Sequence, residues 1–149
     1  MRHLTKAGLA ATLFALSAAA LAQNASPVGT WKTIDDETGK PKALVRITED
    51  AGILTGKIEK LYRPADQDQN PKCVKCTDTR KDQPIIGMTI LSGLKKDGND
   101  YSGGEILDPA AGKTYKSKAA LKDNGSKLEV RGYIGAPMFG RSQTWVREQ

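Results

Sequence analysis

Histidine is almost absent from this chain of 149 residues: there is one, His3. It lies in a segment expected to be removed. Arg2 and Lys6 form a basic start, Ala7 to Ala22 a short uncharged apolar run, and Ala20-Leu21-Ala22 a small-residue cleavage pattern. That is the grammar of a secretory signal peptide. Residues 1–22 are therefore read as a signal peptide and residues 23–149 as a single domain. N-terminal sequencing of the processed protein is expected to begin at or near Gln23; an intact Met1 would overturn the reading. Without His3 the remaining chain has no imidazole. It thus loses the commonest general base, the usual activator of a Ser or Cys nucleophile and the commonest metal ligand.

Other scarcities narrow the choice further. No later run approaches the roughly 20 apolar residues of a membrane helix, so no integral membrane segment is expected. There is no block of like charge, and the formal charge falls from +6 to +4 once Arg2 and Lys6 leave. With export and no basic stripe interleaved with aromatics, nucleic acid is not an expected partner. A periplasmic or secreted location is expected. The two cysteines, Cys73 and Cys76, then sit in an oxidising space.

What is present is period-two alternation broken by turn signals. Eight strands are predicted: 28–34, 42–48, 53–62, 87–94, 101–107, 113–122, 127–134 and 141–148. The clearest is 113–122, where Tyr115, Ser117, Ala119 and Leu121 share one face and Lys116, Lys118 and Lys122 the other. Asp123-Asn124-Gly125 is a hairpin signal. Only Ile85–Leu94, with its Ile/Met/Leu run, leaves a short helix open. A polar stretch, residues 63–84, interrupts the series. Eight short strands with mostly tight connections predict an all-β, antiparallel up-and-down barrel, a closure that removes exposed edges.

Gly29-Thr30-Trp31 near the start and Thr144-Trp145-Val146-Arg147 near the end resemble the signature of lipocalin-like (calycin) barrels. In those, a tryptophan closes one end and an arginine crosses its ring. The resemblance implies these roles for Gly29, Trp31 and Arg147, with Arg141 as a possible substitute on the same strand face. Residues 28–147 also look like a domain-of-unknown-function family of small exported bacterial proteins. The motifs that carry this include the Cys73/Cys76 pair, Pro84-Ile85-Ile86-Gly87-Met88, Ser102-Gly103-Gly104-Glu105-Ile106-Leu107-Asp108-Pro109 and Leu128-Glu129-Val130-Arg131-Gly132-Tyr133-Ile134-Gly135. This resemblance implies the barrel and brings no activity with it.

Cys73-Val74-Lys75-Cys76 has three readings. A structural disulfide that stiffens a polar loop with little to pack is favoured; so small a ring stabilises by about 2 kcal/mol. A redox pair, with thiols acidified by Lys72, Lys75, Arg80 and Lys81, would need a helix start and a βαβ pattern, and neither is visible. Zinc would need two further ligands, and only carboxylates such as Asp78 and Asp82 are near. Glu105 and Asp108 flank a Gly-rich strand and could form a carboxylate pair, depending on their separation; Ser and Thr are frequent, but there is no G-x-S-x-G elbow and no histidine to activate a hydroxyl. No enzyme activity, metal or cofactor is expected.

The inward faces contain small residues: Ala43, Gly56, Ser92, Gly104, Ser117, Ala119 and Gly132. They fit either a ligand cavity, with Tyr115, Ser117 and Ala119 as candidate ligand-facing residues, or a narrow filled barrel. The first makes the protein a non-catalytic binder of a small or lipidic molecule or an envelope component. The second makes it a docking protein for an envelope protein or an anionic envelope polymer. An internal chamber of several hundred Å3 favours the first.

Overall fold

A computed structural model describes residues 26–148; residues 1–22, expected to be a signal peptide, lie outside the described residues. The strands are β1 (Gly29–Ile34), β2 (Pro41–Asp50), β3 (Ile53–Leu61), β4 (Thr89–Asp97), β5 (Asp100–Asp108), β6 (Lys113–Lys122), β7 (Lys127–Tyr133) and β8 (Gly140–Arg147). Each pairs antiparallel with its neighbour in sequence, and β8 pairs back onto β1. The result is the closed eight-stranded up-and-down barrel that the alternation predicts.

The departures from the predicted strands have local causes. β2 runs on to Asp50 because the turn to β3, which starts at Ile53 as predicted, is only Ala51 and Gly52. Both have positive φ (49° and 79°), as two-residue hairpins require. β4 starts at Thr89 rather than Gly87, and the segment Ile85–Leu94 contributes strand, not helix. Pairing to β3 on one side and β5 on the other decides between the two readings of its apolar run. Within β4 a bulge at Ser92-Gly93 (Gly93 φ 75°) puts Leu91 and Leu94 both into the core. Ser92 is therefore not an inward residue: it pairs with exposed Glu105 on the outer face. A matching irregularity at Ser102-Gly103 turns both Tyr101 and Gly104 inward.

Half of the barrel is filled. Trp31, Val45, Ile47, Leu54, Leu91, Leu94 and Leu128 are essentially inaccessible. A β-carbon on Gly104 would stand 2.7 Å from the Leu94 side chain, and one on Gly56 would stand 3.0 Å from Leu91. Here the small residues are what a narrow, close-packed cross-section demands. The stretch from Tyr62 to Met88 lies over one end of the wall formed by β4, β5 and β6. It is not a polar excursion with little to pack. Cys73, Cys76, Ile85 and Met88 join the main core, and Leu107, outward by register, is buried beneath the loop.

Candidate functional site

Three constructions could carry function: the closed end, the disulfide loop and the open end. At the closed end, Trp31 is fully buried and its indole N–H donates to the Pro27 carbonyl at 2.8 Å. The Arg147 guanidinium lies 4.3 Å from the centre of the Trp31 ring. It donates to three carbonyls: Gly125 at 2.8 Å, Val28 at 2.9 Å and Ser26 at 2.7 Å. One planar group thereby ties the β6–β7 turn to the chain entering β1, while its face covers the indole. This end is a plug rather than a binding surface. Arg141 takes no part in it. Two thirds of a strand away, it stands at the opposite end, 3.7 Å from the Asp36 carboxylate.

In the loop, Cys73 and Cys76 form a disulfide. Both are buried, and the Cys73 sulfur lies 3.5 Å from the Pro109 carbonyl on the β5–β6 turn. The backbone at Lys75 and Cys76 presses on Gly112 so closely that a β-carbon there would overlap the Lys75 carbonyl. Arg80 braces the loop. Its guanidinium holds both oxygens of Asp78, pulling that carboxyl down to about 2, and also donates to the Thr89 carbonyl at 3.0 Å. Asp78 is thus committed to Arg80 rather than to a metal. Among the described residues no cluster of three or more His, Cys, Asp or Glu is placed to hold one. A buried disulfide without a helix start offers no exposed thiol chemistry.

Across the open end runs a cavity of about 510 Å3. Its wall is apolar: Ala43, Ile58, Ile90, Ile106 and Val130, with Trp145 beside them. Its rim is mixed: Arg141, Gln143, Asp108 and the tyrosines Tyr115 and Tyr133 are polar, and Ile134 and Phe139 of the β7–β8 connection are apolar. Gln143 reaches the Asp36 carboxylate at 3.5 Å. The Trp145 indole N–H is buried and has no acceptor among the described residues; the Ser117 hydroxyl is likewise unpartnered. A buried unpaired donor costs about 1–3 kcal/mol, so an acceptor brought to Trp145 recovers that cost.

Of the three candidate ligand-facing residues, only Tyr115 lines the cavity. Ser117 and Ala119 are buried further along β6, in the filled part. Ala43 and Gly132 line the chamber while Gly56 and Gly104 close the packed half, so the two readings of the small residues divide the barrel between them. Glu105 is exposed and pairs in register with Lys116, whereas Asp108 lines the cavity, so the two carboxylates stand on opposite faces and form no pair. Sequence reasoning missed Trp145 in the cavity wall, Gln143 at its rim, and Asp36 as the rim partner of Gln143 and Arg141. The signal was available: Arg141, Gln143 and Trp145 alternate along β8 and pair with inward-facing Gly132, Val130 and Leu128.

With this geometry in place, comparisons with known proteins fall into line. The family model for an uncharacterized protein conserved in bacteria (DUF2147) matches residues 29–147. No curated protein matches the chain. Among solved structures, protein HP1028 from Helicobacter pylori, described as belonging to the lipocalin family, superimposes with a TM-score of 0.70 at 23% identity. The match covers 83% of this chain and 84% of that one. At this identity the likeness is one of fold.

Proposed function

Because the chain belongs to the DUF2147 family of bacterial proteins, whose match brings no activity, we propose a function from the cavity itself. The protein is an exported, non-catalytic binder of an amphipathic small or lipidic molecule. The observation that carries this is the chamber of about 510 Å3, within the 300–1,000 Å3 typical of small-molecule pockets. A barrel that served only for docking would have no reason to leave that volume unfilled.

The lining indicates the ligand's chemistry. An aliphatic or ring portion would sit against Ala43, Ile58, Ile106 and Val130, gaining roughly 25 cal/mol per Å2 of apolar surface buried. A carbonyl or carboxylate oxygen would accept from the Trp145 indole or from Arg141 and Gln143 at the rim. The absence of histidine from residues 4–149 supports a binding rather than a catalytic role.

Two measurements test the proposal. Native mass spectrometry of protein purified from its own envelope should reveal a retained small molecule. A fatty acid bearing an environment-sensitive anthroyl group should bind saturably, and Val130→Trp, which fills the chamber, should abolish uptake. Arg141→Gln should weaken binding of the carboxylate probe about tenfold, as expected for one charge-assisted hydrogen bond. Absence of both a retained molecule and saturable uptake would sink the proposal.

A further inference from the structure

The mouth of the barrel carries an apolar tip that nothing in the fold covers. Between β7 and β8, Ile134, Met138 and Phe139 are 68%, 77% and 68% exposed. Such exposure usually accompanies a floppy loop, but this one is braced. The Ile134 N–H donates to the Phe139 carbonyl at 3.2 Å, and Phe139 N–H to Ala136 at 2.9 Å. The Arg131 guanidinium reaches from the strand to the Pro137 carbonyl at 2.6 Å, the Gly140 carbonyl at 3.2 Å and the Ser142 hydroxyl at 3.0 Å. Gly140 fits only because it lacks a side chain; a β-carbon there would overlap the Gly132 carbonyl. The loop is built to hold three apolar side chains out into solvent.

The β6–β8 wall is basic. Residues 113–147 hold eight Lys and Arg against two acids; Lys113, Lys116, Arg131 and Arg141 lie toward the loop, whereas Lys122, Lys127 and Arg147 stand at the closed end. Lys116 stands beside Tyr133 at the base of the loop and Lys118 beside Arg131. Lys113, Lys116 and Lys118 make no ion pair within 4.0 Å among the described residues, although Asp108 and Glu105 stand opposite Lys113 and Lys116 in the β5–β6 ladder. Three of the acids at this end are occupied locally: Asp36 faces Arg141, Asp35 accepts from the Glu37 and Thr38 N–H groups, and Asp108 from Ala110.

We propose that the β7–β8 loop docks the open end of the barrel onto an anionic lipid bilayer. Ile134, Met138 and Phe139 enter the interfacial layer, and Lys113, Lys116 and Lys118 face the headgroups. Three side chains on a tip fall far short of the roughly 1,200–2,000 Å2 of a specific protein–protein interface. Apolar side chains next to unpaired lysines are what an anionic membrane surface attracts. Ile134 and Phe139 also line the cavity rim, so a docked barrel opens toward the bilayer. Docking does not depend on the cavity being a ligand site.

The test places a polarity-sensitive dye on Met138→Cys, since the two native cysteines are paired. Vesicles of phosphatidylcholine containing phosphatidylglycerol should shift the emission to the blue and shield the dye from iodide. The same dye on Asn99→Cys, in the turn at the closed end, should show neither. Lys113→Gln and Lys116→Gln should each weaken vesicle binding about fivefold, the factor expected for one basic residue near an anionic surface. Ile134→Ser together with Phe139→Ser should weaken it about tenfold or more. No response at position 138, or an equal response at position 99, would overturn the proposal. So would a shift that grows with protein concentration without vesicles, which would mark a second copy as the occupant. Uptake of the anthroyl fatty acid is measured without vesicles, so failure of docking and failure of ligand binding are distinguishable.

Discussion

Trp31→Ala should lower the unfolding free energy by about 3–5 kcal/mol, the range for truncating a buried large aromatic. The indole is fully buried, contributes to the central core and is capped by a guanidinium on its outer face. Its removal leaves a void that the neighbouring Val45 and Leu128 cannot fill, because each is held by a ladder of hydrogen bonds on both sides. Arg147→Ala should cost less, about 1.5–3 kcal/mol, by releasing three carbonyls that accept from a charged donor. The two changes should not add: a double-mutant cycle should return about 0.5–2 kcal/mol of coupling from the ring contact. Arg147→Lys should recover only part of the loss, since an ammonium cannot bridge three carbonyls and cover a ring at once. Denaturant unfolding of the four proteins checks all of this. Strict additivity would show that the ring contact is incidental.

Gly112→Ala should be nearly as damaging, at about 2–4 kcal/mol, although it adds one methyl group on a surface turn. Gly112 has φ 68°, a region where a side chain alone costs about 1–2 kcal/mol. The new methyl would also occupy the space of the Lys75 carbonyl, and overpacking of this kind adds about 1–3 kcal/mol. The loop is held by Arg80, by the Lys72–Pro84 bridge and by its own turns, so the strain should lift it from the β5–β6 turn rather than unfold the barrel. The signature is specific. Cys73–Cys76 should become quickly reducible by dithiothreitol under native conditions, whereas in the parent protein it is shielded. A variant that loses stability while its disulfide stays protected would show that Gly112 acts elsewhere.

How much of this could be read beforehand differs from element to element. The alternation of Tyr115, Ser117, Ala119 and Leu121 defined β6 to the residue, because a sheet with one buried face leaves that imprint directly. β4 and β5 were harder to place, since the bulges at Gly93 and Gly103 each interrupt the period and reverse the faces beyond them. Counting by twos along β4 therefore places Ser92 inward, whereas the bulge turns it out. Arg141 and Arg147 share a strand face, which made either eligible to cross Trp31. Six residues at about 3.3 Å each put them roughly 20 Å apart, at opposite ends of a barrel, and only one can serve. The disulfide's burial depends on Gly112 meeting Lys75 across a long stretch of chain, and local pattern carries no trace of such a contact. The chamber was the least legible feature. Whether a glycine lines a space or closes one depends on what faces it across the barrel: Leu94 for Gly104, open volume for Gly132.

The closure described above also bears on chain topology. Seven of the eight seams join strands that are neighbours along the chain; six are hairpins that can zip locally, and the β3–β4 seam closes over the stretch from Tyr62 to Met88. The eighth joins β1 to β8 through only two ladder pairs, Trp31–Arg147 and Lys32–Val146. Arg147 meets Val28 across 119 positions. The longest-range closure therefore falls on a single short seam. The aromatic plug and the three-carbonyl staple are concentrated there, where the ladder is weakest. The ribbon of strands becomes a ring only when β8 is available, so the segment around Arg147 acts as the clasp of the barrel.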